Sequence, residues 1–232
     1  RPVGNKFFKH KIYIMKVIIP AKSCSSRLNN KNWIEFNNGL SLTEIKINQL
    51  KKTFPVEDII VSCDDEKYRI LVESTGVNFE LRELSLSNDS THWSDFIVDL
   101  LNSLPIKDDE DVFWAHVTCP LFNQFNDALE TWNRVKKDHD CLLAVRPFKE
   151  FILDEKGRPL NFSFGRWHSW SQNLPKWYIW DSPLHIISKK TALKHQYLIG
   201  SSAYLYEIND ISIDIDTLEE FKMAQFIYSN MQ

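Results

Sequence analysis

Between two apolar stretches the chain reads Pro20-Ala21-Lys22-Ser23-Cys24-Ser25-Ser26-Arg27-Leu28-Asn29-Asn30-Lys31-Asn32, placing three cations, three hydroxyls and three short amides within 13 residues. Such a set suits triphosphate oxygens. Lys and Arg donate charge-assisted hydrogen bonds, and hydroxyls and backbone N–H groups complete a cradle. The segment is neither a P-loop nor a dinucleotide fingerprint, because both glycine patterns are absent. On composition alone a solvated polar loop stands equally open. The second candidate lies far downstream, in Ile213-Asp214-Ile215-Asp216-Thr217. On a strand, alternation puts the Asp214 and Asp216 carboxylates on one face and the two isoleucines on the core face. Paired carboxylates suit Mg²⁺, or Mn²⁺ in its place, with phosphate and water completing the shell. The competing role for Asp216 is to cap a helix begun by Thr217 and Leu218, with Glu219 in its first turn.

These residues need a scaffold, and the sequence offers one. Val17–Ile19 (a strand that can begin at Met15), Ile59–Val61, Val112–Ala115 and Leu142–Val145 are short, continuous apolar runs, the pattern of strands buried on both faces. Between them, Trp93, Phe96, Ile97, Leu100, Leu101 and Leu104 form a helical stripe, as do Phe125, Ala128, Leu129, Trp132 and Val135. Tyr68, Leu71 and Val72 make a shorter one ended by Gly76. Alternating strands and helices imply an α/β fold, with a mainly parallel Rossmann-like sheet flanked by helices. In such sheets ligands bind at the carboxyl ends of the strands, where the Pro20–Asn32 loop lies. After residue 146 the rhythm breaks. Asp154–Gly157 reads as a hairpin turn, prolines recur at 147, 159, 175 and 183, and Trp167, Trp170, Trp177 and Trp180 crowd one stretch. This is an irregular, partly β arm or lid over 147–180, its tryptophans either stacking on a ligand or filling a core. A last helix starts near Thr217.

With 232 residues and 43% hydrophobic content, one domain over 15–232 can bury a full core, and residues 1–14 read as a leader or tag. Twenty-eight basic against 31 acidic residues leave a charge of -3, so no global field collects nucleic acid or anionic membrane. Cys24, Cys63, Cys119 and Cys141 have no zinc spacing and fit a reducing compartment. No apolar run reaches the ~20 residues of a membrane span. The expectation is a cytoplasmic protein with no membrane partner.

The loop resembles the signature of the acylneuraminate (CMP-sialic acid) cytidylyltransferases, A-R-S-x-S-K-x-L-P-x-K-N, at Ala21, Ser23, Ser25, Leu28, Lys31 and Asn32. Further resemblances follow in order: Asn38-Gly39-Leu40-Ser41-Leu42 to N-G-x-x-L, and Val61-Ser62-Cys63-Asp64-Asp65 to V-S-T-D-D. Next come Arg82, Leu86 and Asp89 on R-P-x-x-L-A-x-D, and Val117-Thr118-Cys119-Pro120-Leu121 on P-T-S-P-L. Gln172-Asn173-Leu174-Pro175 matches R-Q-x-L-P, and the Ile213–Thr217 segment matches I-D-I-D-T. The resemblance implies a nucleotidyltransferase-type fold, CTP and a 2-keto sugar acid as substrates, Mg²⁺ on Asp214 and Asp216, and a homodimer formed through the arm.

The same resemblance assigns the nucleotide to Ala21, Lys22, Ser23, Ser25, Arg27, Lys31, Asn32, Arg82 and Thr118, with Lys31 at the triphosphate and Asn32 at cytosine. Lys22 and Lys31 would be transition-state cations, and His116, Gln172 and Asp181 would face the sugar. Departures concentrate on the sugar side. His116 replaces a Gln, Phe122 replaces an Arg, and Asp181-Ser182-Pro183-Leu184-His185 replaces N-G-A-I-Y. Lys22 in place of Arg keeps charge but loses the bidentate fork. His116 reads as a ligand contact or a structural histidine, and Asp64 and Asp65 as a second metal site or helix caps. Activation of 3-deoxy-manno-octulosonate, or sugar-nucleotide binding without turnover, are the alternative functions.

Overall fold

The computed structural model describes residues 15–88, 90–180 and 182–231; the proposed leader 1–14 and the sugar-side candidate Asp181 lie outside the described residues. The elements in chain order begin with β1 (Met15–Pro20), β2 (Glu35–Asn37), β3 (Leu40–Ser41), α1 (Leu42–Leu50), β4 (Ile59–Cys63), α2 (Arg69–Ser74) and β5 (Asn78–Leu81). There follow α3 (Trp93–Ser103), β6 (Asp111–Ala115), α4 (Phe125–Val135), β7 (Cys141–Phe148) and β8 (Trp177–Ile179). The last are β9 (Leu184–Ser188), α5 (Lys189–His195), β10 (Ala203–Glu207) and α6 (Leu218–Asn230).

One sheet runs β10-β7-β9-β6-β1-β4-β5, with β8 added to β7. The β6-β1-β4-β5 block is parallel, as is β7 with β10. β9 is antiparallel to both its neighbours, β6 and β7. The four runs read from the sequence form β1, β4, β6 and β7, and strand alternation then sorts their side chains. Val17, Ile19, Val61, Phe113 and Ala115 pack with apolar residues of α1, α4 and α6 on one face. Ile18, Ile60, Val112 and Trp114 pack with α3 and α5 on the other. Burial on both faces accounts for the continuous apolar runs. At about 25 cal/mol per Å², each such side chain contributes on the order of 2 kcal/mol.

Local signals behave as their chemistry requires. β2 and β3 are joined by Asn38-Gly39 with both φ values positive (50° and 79°), the backbone of a tight hairpin turn. Gly76, at φ 88°, follows α2. At Asp154–Gly157 the turn closes as expected: Leu153 bridges Pro159, and the Asp154 carboxylate accepts from the backbone N–H groups of Lys156 and Arg158.

Three expectations need correction. The Ile213–Thr217 segment is not a strand. It keeps the alternation nonetheless, with Ile215 fully buried and Asp214 exposed, because the Ile215 N–H donates to Thr118 O at 2.9 Å and pins the extended chain. The cap of α6 is Thr217, whose hydroxyl and the Glu220 carboxylate form a capping box. Asp216 supplies only a backbone N–H to Glu220, so its side chain is not a cap. The tryptophans of the arm do not fill a core either, since Trp167 and Trp170 are 79% and 74% exposed.

Candidate active site

The carboxyl ends of β1, β4, β5 and β6 converge because these four strands are parallel neighbours. Above them lies a cleft of about 450 Å³. Lys22, Ser25, Arg27, Lys31 and Asn32 wall it from the loop after β1. Arg82 enters after β5, His116 and Thr118 after β6, and Asp214 and Asp216 from the segment before α6. Ten of the residues singled out in the sequence thus share one cavity.

The loop is folded on itself. Asn32 Nδ2 and Trp33 Nε1 both donate to Lys22 O (3.0 and 3.1 Å), and Asn30 takes a left-handed φ of 53° whose carbonyl accepts from Trp33 and Ile34 N–H. Trp33 is held in turn by a parallel stack on Tyr68 at 3.8 Å. Asn32 Oδ1 is buried without a partner among the described residues. A buried acceptor left unmatched costs about 1–3 kcal/mol, so the wall presents a hydrogen-bond site that the chain does not satisfy.

Lys31 links the loop to the far end of the chain. Its ammonium donates to Ile215 O and to Asp216 Oδ1 (3.1 Å), while Arg27 reaches Asp216 Oδ2 at 2.8 Å. Two cations therefore flank the carboxylate proposed for metal. Among the described residues no group of three or more His, Cys, Asp or Glu side chains is arranged for a metal. A cation here would rest on Asp214 and Asp216 and take its remaining oxygens from phosphate and water, a donor set that fits Mg²⁺.

The sequence candidates divide by position. Ala21 is fully buried in the core and its N–H pairs with Ser62 O, so it sets the loop's exit without facing the cleft by its side chain. Ser23 donates its N–H and hydroxyl to Asp64 (2.7 and 2.8 Å). Asp64 is thus a buried loop anchor, rather than a cap or a cleft carboxylate, while Asp65 caps the turn at Glu66–Tyr68. Arg82 lines the cleft, yet its guanidinium is spread over Ser87 Oγ, Ser62 O and Asp64, and burial lowers its pKa. Gln172 is exposed in a turn of the arm and does not line the cleft. Phe122, read as part of the sugar side, is a core residue packed on Phe125.

Sequence reasoning missed several participants. Trp93, assigned to the core stripe of α3, is 39% exposed, lines the cleft and stacks on His116. His185, fully buried on β9, meets His116 edge-on at 6.0 Å. Burial, aided by the Lys46 ammonium, pushes His116 down to about 4, so the imidazole at the cleft floor is neutral near pH 7. Both histidines fell within segments marked as departures from the resemblance, but that they meet became visible only once β9 was placed beside β6.

A family model described as Cytidylyltransferase matches residues 16–113, from the start of β1 into β6, including the whole Pro20–Asn32 loop. N-acylneuraminate cytidylyltransferase of Streptococcus agalactiae is 26% identical over 220 residues, spanning 88% of this chain and 51% of that protein. Over the first part of the chain, through most of the parallel block, the match is to a cytidylyltransferase model, and beyond it the likeness is to proteins named as cytidylyltransferases. The chain also resembles a Helicobacter pylori protein named pseudaminic acid cytidylyltransferase and UDP-2,4-diacetamido-2,4,6-trideoxy-beta-L-altropyranose hydrolase, at 27% identity over 90% of this chain and 40% of that one. The chain spans about half the length of the first of these curated relatives. Among solved structures, a CMP:2-keto-3-deoxy-manno-octonic acid synthetase complexed with CTP superposes with a TM-score of 0.67 at 13% identity, covering 94% of this chain and 99% of that one. A 4-diphosphocytidyl-2C-methyl-D-erythritol synthase from Anaerococcus prevotii gives 0.63 at 14% identity over 94% and 96%. These two show that the chain shares their fold, a mainly parallel sheet flanked by helices.

Proposed function

We propose that this chain catalyses transfer of CMP from CTP to the anomeric hydroxyl of a nonulosonic, sialic-acid-like 2-keto sugar acid, releasing pyrophosphate. The observation that carries the reading is the single cleft joining the cationic loop, Thr118 and the Asp214/Asp216 pair. The names of the relatives support the acceptor class.

In this mechanism Lys22, Arg27 and Lys31 hold the triphosphate, and Asn32 Oδ1 accepts from the exocyclic amine of cytosine. Asp214 and Asp216 would hold Mg²⁺ or Mn²⁺, which neutralises phosphate charge when bound. The acceptor oxygen attacks the α-phosphorus, the bond from that phosphorus to the oxygen bridging it to the β-phosphorus breaks, pyrophosphate leaves with that oxygen, and the hydroxyl proton passes to water. Alignment and charge stabilisation by Lys31 and Lys22 lower the barrier, and no covalent enzyme intermediate is needed. His116 and Trp93 border the acceptor. Two copies would associate through the arm, where Phe164, Trp167 and Trp170 are exposed.

The test is pyrophosphate release from CTP and Mg²⁺ over a panel of 2-keto sugar acids that includes sialic acid, pseudaminic acid and 3-deoxy-manno-octulosonate. Release with a nonulosonic acid is expected. CTP binding without release for every acceptor would instead make the chain a binding module.

A further inference from the structure

Three polar residues of α1 are buried along one helical face: Thr43 and Lys46 completely, and Gln49 with 8% exposed. Their spacing of three puts them on adjacent turns of the same side. Each spends its donors on backbone carbonyls. Thr43 N–H and Oγ1 go to Asn32 O (3.1 and 2.8 Å), Lys46 Nζ goes to Cys119 O (2.9 Å) and Phe122 O (3.5 Å), and Gln49 Nε2 goes to Pro120 O (2.7 Å).

We infer that this stripe is a positioning clamp: α1 grips the cradle loop at one end and the 119–122 turn at the other, and so sets the spacing between Asn32 and Thr118 across the cleft. The inference rests on the transferase reading above. From the turn the linkage continues, since Thr118 O receives the Ile215 N–H and Ile215 O receives Lys31. A helix is a stiff spacer, whereas both gripped segments are loops without strand partners. Lys46 adds a charge. Its ammonium lies over the Phe125 ring, and no carboxylate among the described residues pairs with it. A fully buried lysine without a counterion is costly, and burial lowers its pKa to about 8. An apolar residue would fill the volume more cheaply, so a lysine here fits a role in holding carbonyls and charging the floor beneath His116.

Gln49→Met, Thr43→Val and Lys46→Met preserve volume and test the clamp. Since misplacement by about 1 Å costs on the order of 100-fold in rate, Gln49→Met and Lys46→Met are expected to lower kcat about 10–100-fold while KM for CTP changes less than about threefold. Thr43→Val, acting on Asn32, should instead raise KM for CTP. In Lys46→Met the His116 imidazole, followed by NMR, should titrate above its parent value, because the ammonium is one of the two influences holding it down. Lowered melting temperatures with kcat, KM and the His116 midpoint all unchanged would reduce the stripe to ordinary packing and overturn the inference. If Lys46→Met does not fold, Gln49→Met carries the kinetic test. If the parent protein releases no pyrophosphate with any acceptor, the transferase reading fails separately. CTP affinity in Thr43→Val and the NMR titration then decide the clamp.

Discussion

Lys31 is held on three sides before any substrate arrives: buried stem, Ile215 carbonyl and Asp216 carboxylate. A donor fixed in this way needs little reorganisation as charge develops on the phosphates. Lys31→Ala is therefore expected to lower kcat about 10²–10³-fold, measured as steady-state pyrophosphate release. His116 makes a different prediction. Its pKa is about 4 in the fold against about 6.5 when unfolded, so between those values the unfolded chain binds more protons. Stability then rises with pH across this window and is lost as pH falls from about 6.5 towards 4. Denaturant titrations of His116→Gln should show a flatter dependence between pH 6.5 and 4.5 than the parent, and an equal slope would contradict a depressed histidine. That this loop walls a cleft was legible, because three cations, three hydroxyls and three amides are concentrated in one stretch after a buried strand. The pairing of Asp216 with Arg27 and Lys31 was not, because it spans 185 residues between Lys31 and Asp216 and depends on the fold that joins them.

At the level of elements, α6 begins with two overlapping cap registers in Asp216-Thr217-Leu218-Glu219-Glu220. Asp216 with Glu219 and Thr217 with Glu220 have the same spacing, so local chemistry could not choose between them. The fold chooses Thr217, which leaves the Asp216 side chain to the cleft. Thr217→Ala should cost about 1 kcal/mol of stability by thermal or chemical unfolding. It should also weaken turnover, since the capping box fixes the backbone beside Asp216. Strands β1, β4, β6 and β7 were readable from continuous apolar runs, whereas β5, β9 and β10 were not. An antiparallel strand buried between two neighbours presents the same run as a parallel one, and its direction is set by the chain path around it. The helices α3 and α4 emerged where their stripes placed them. Trp93 escaped because an apolar residue at the end of a stripe can close a core or wall a cavity.

For the whole molecule, exposed aromatic surface concentrates in the arm, where Phe164, Trp167 and Trp170 project from segments with little regular structure. Clusters of this kind favour association. Sedimentation should give a dimer for the parent and a shift towards monomer for a Trp167→Ala/Trp170→Ala double variant, and unchanged mass would remove the arm from assembly. Chelation of divalent cations should abolish pyrophosphate release and leave the far-ultraviolet circular dichroism intact, because the described fold is held by apolar packing and hydrogen bonds. The sheet order carries one more consequence. β9 inserts between β6 and β7, so those strands, formed from residues 111–115 and 141–148, cannot become connected until residues 184–188 are available. On a ribosome, β1, β4, β5 and β6 can pair early, whereas the seam and the Lys31 contact to Ile215 must await residues 184–215. The cationic loop after β1 would then be synthesised early and the cleft completed late, leaving a nascent chain that carries the loop but not yet its partner segment at Ile215 and Asp216.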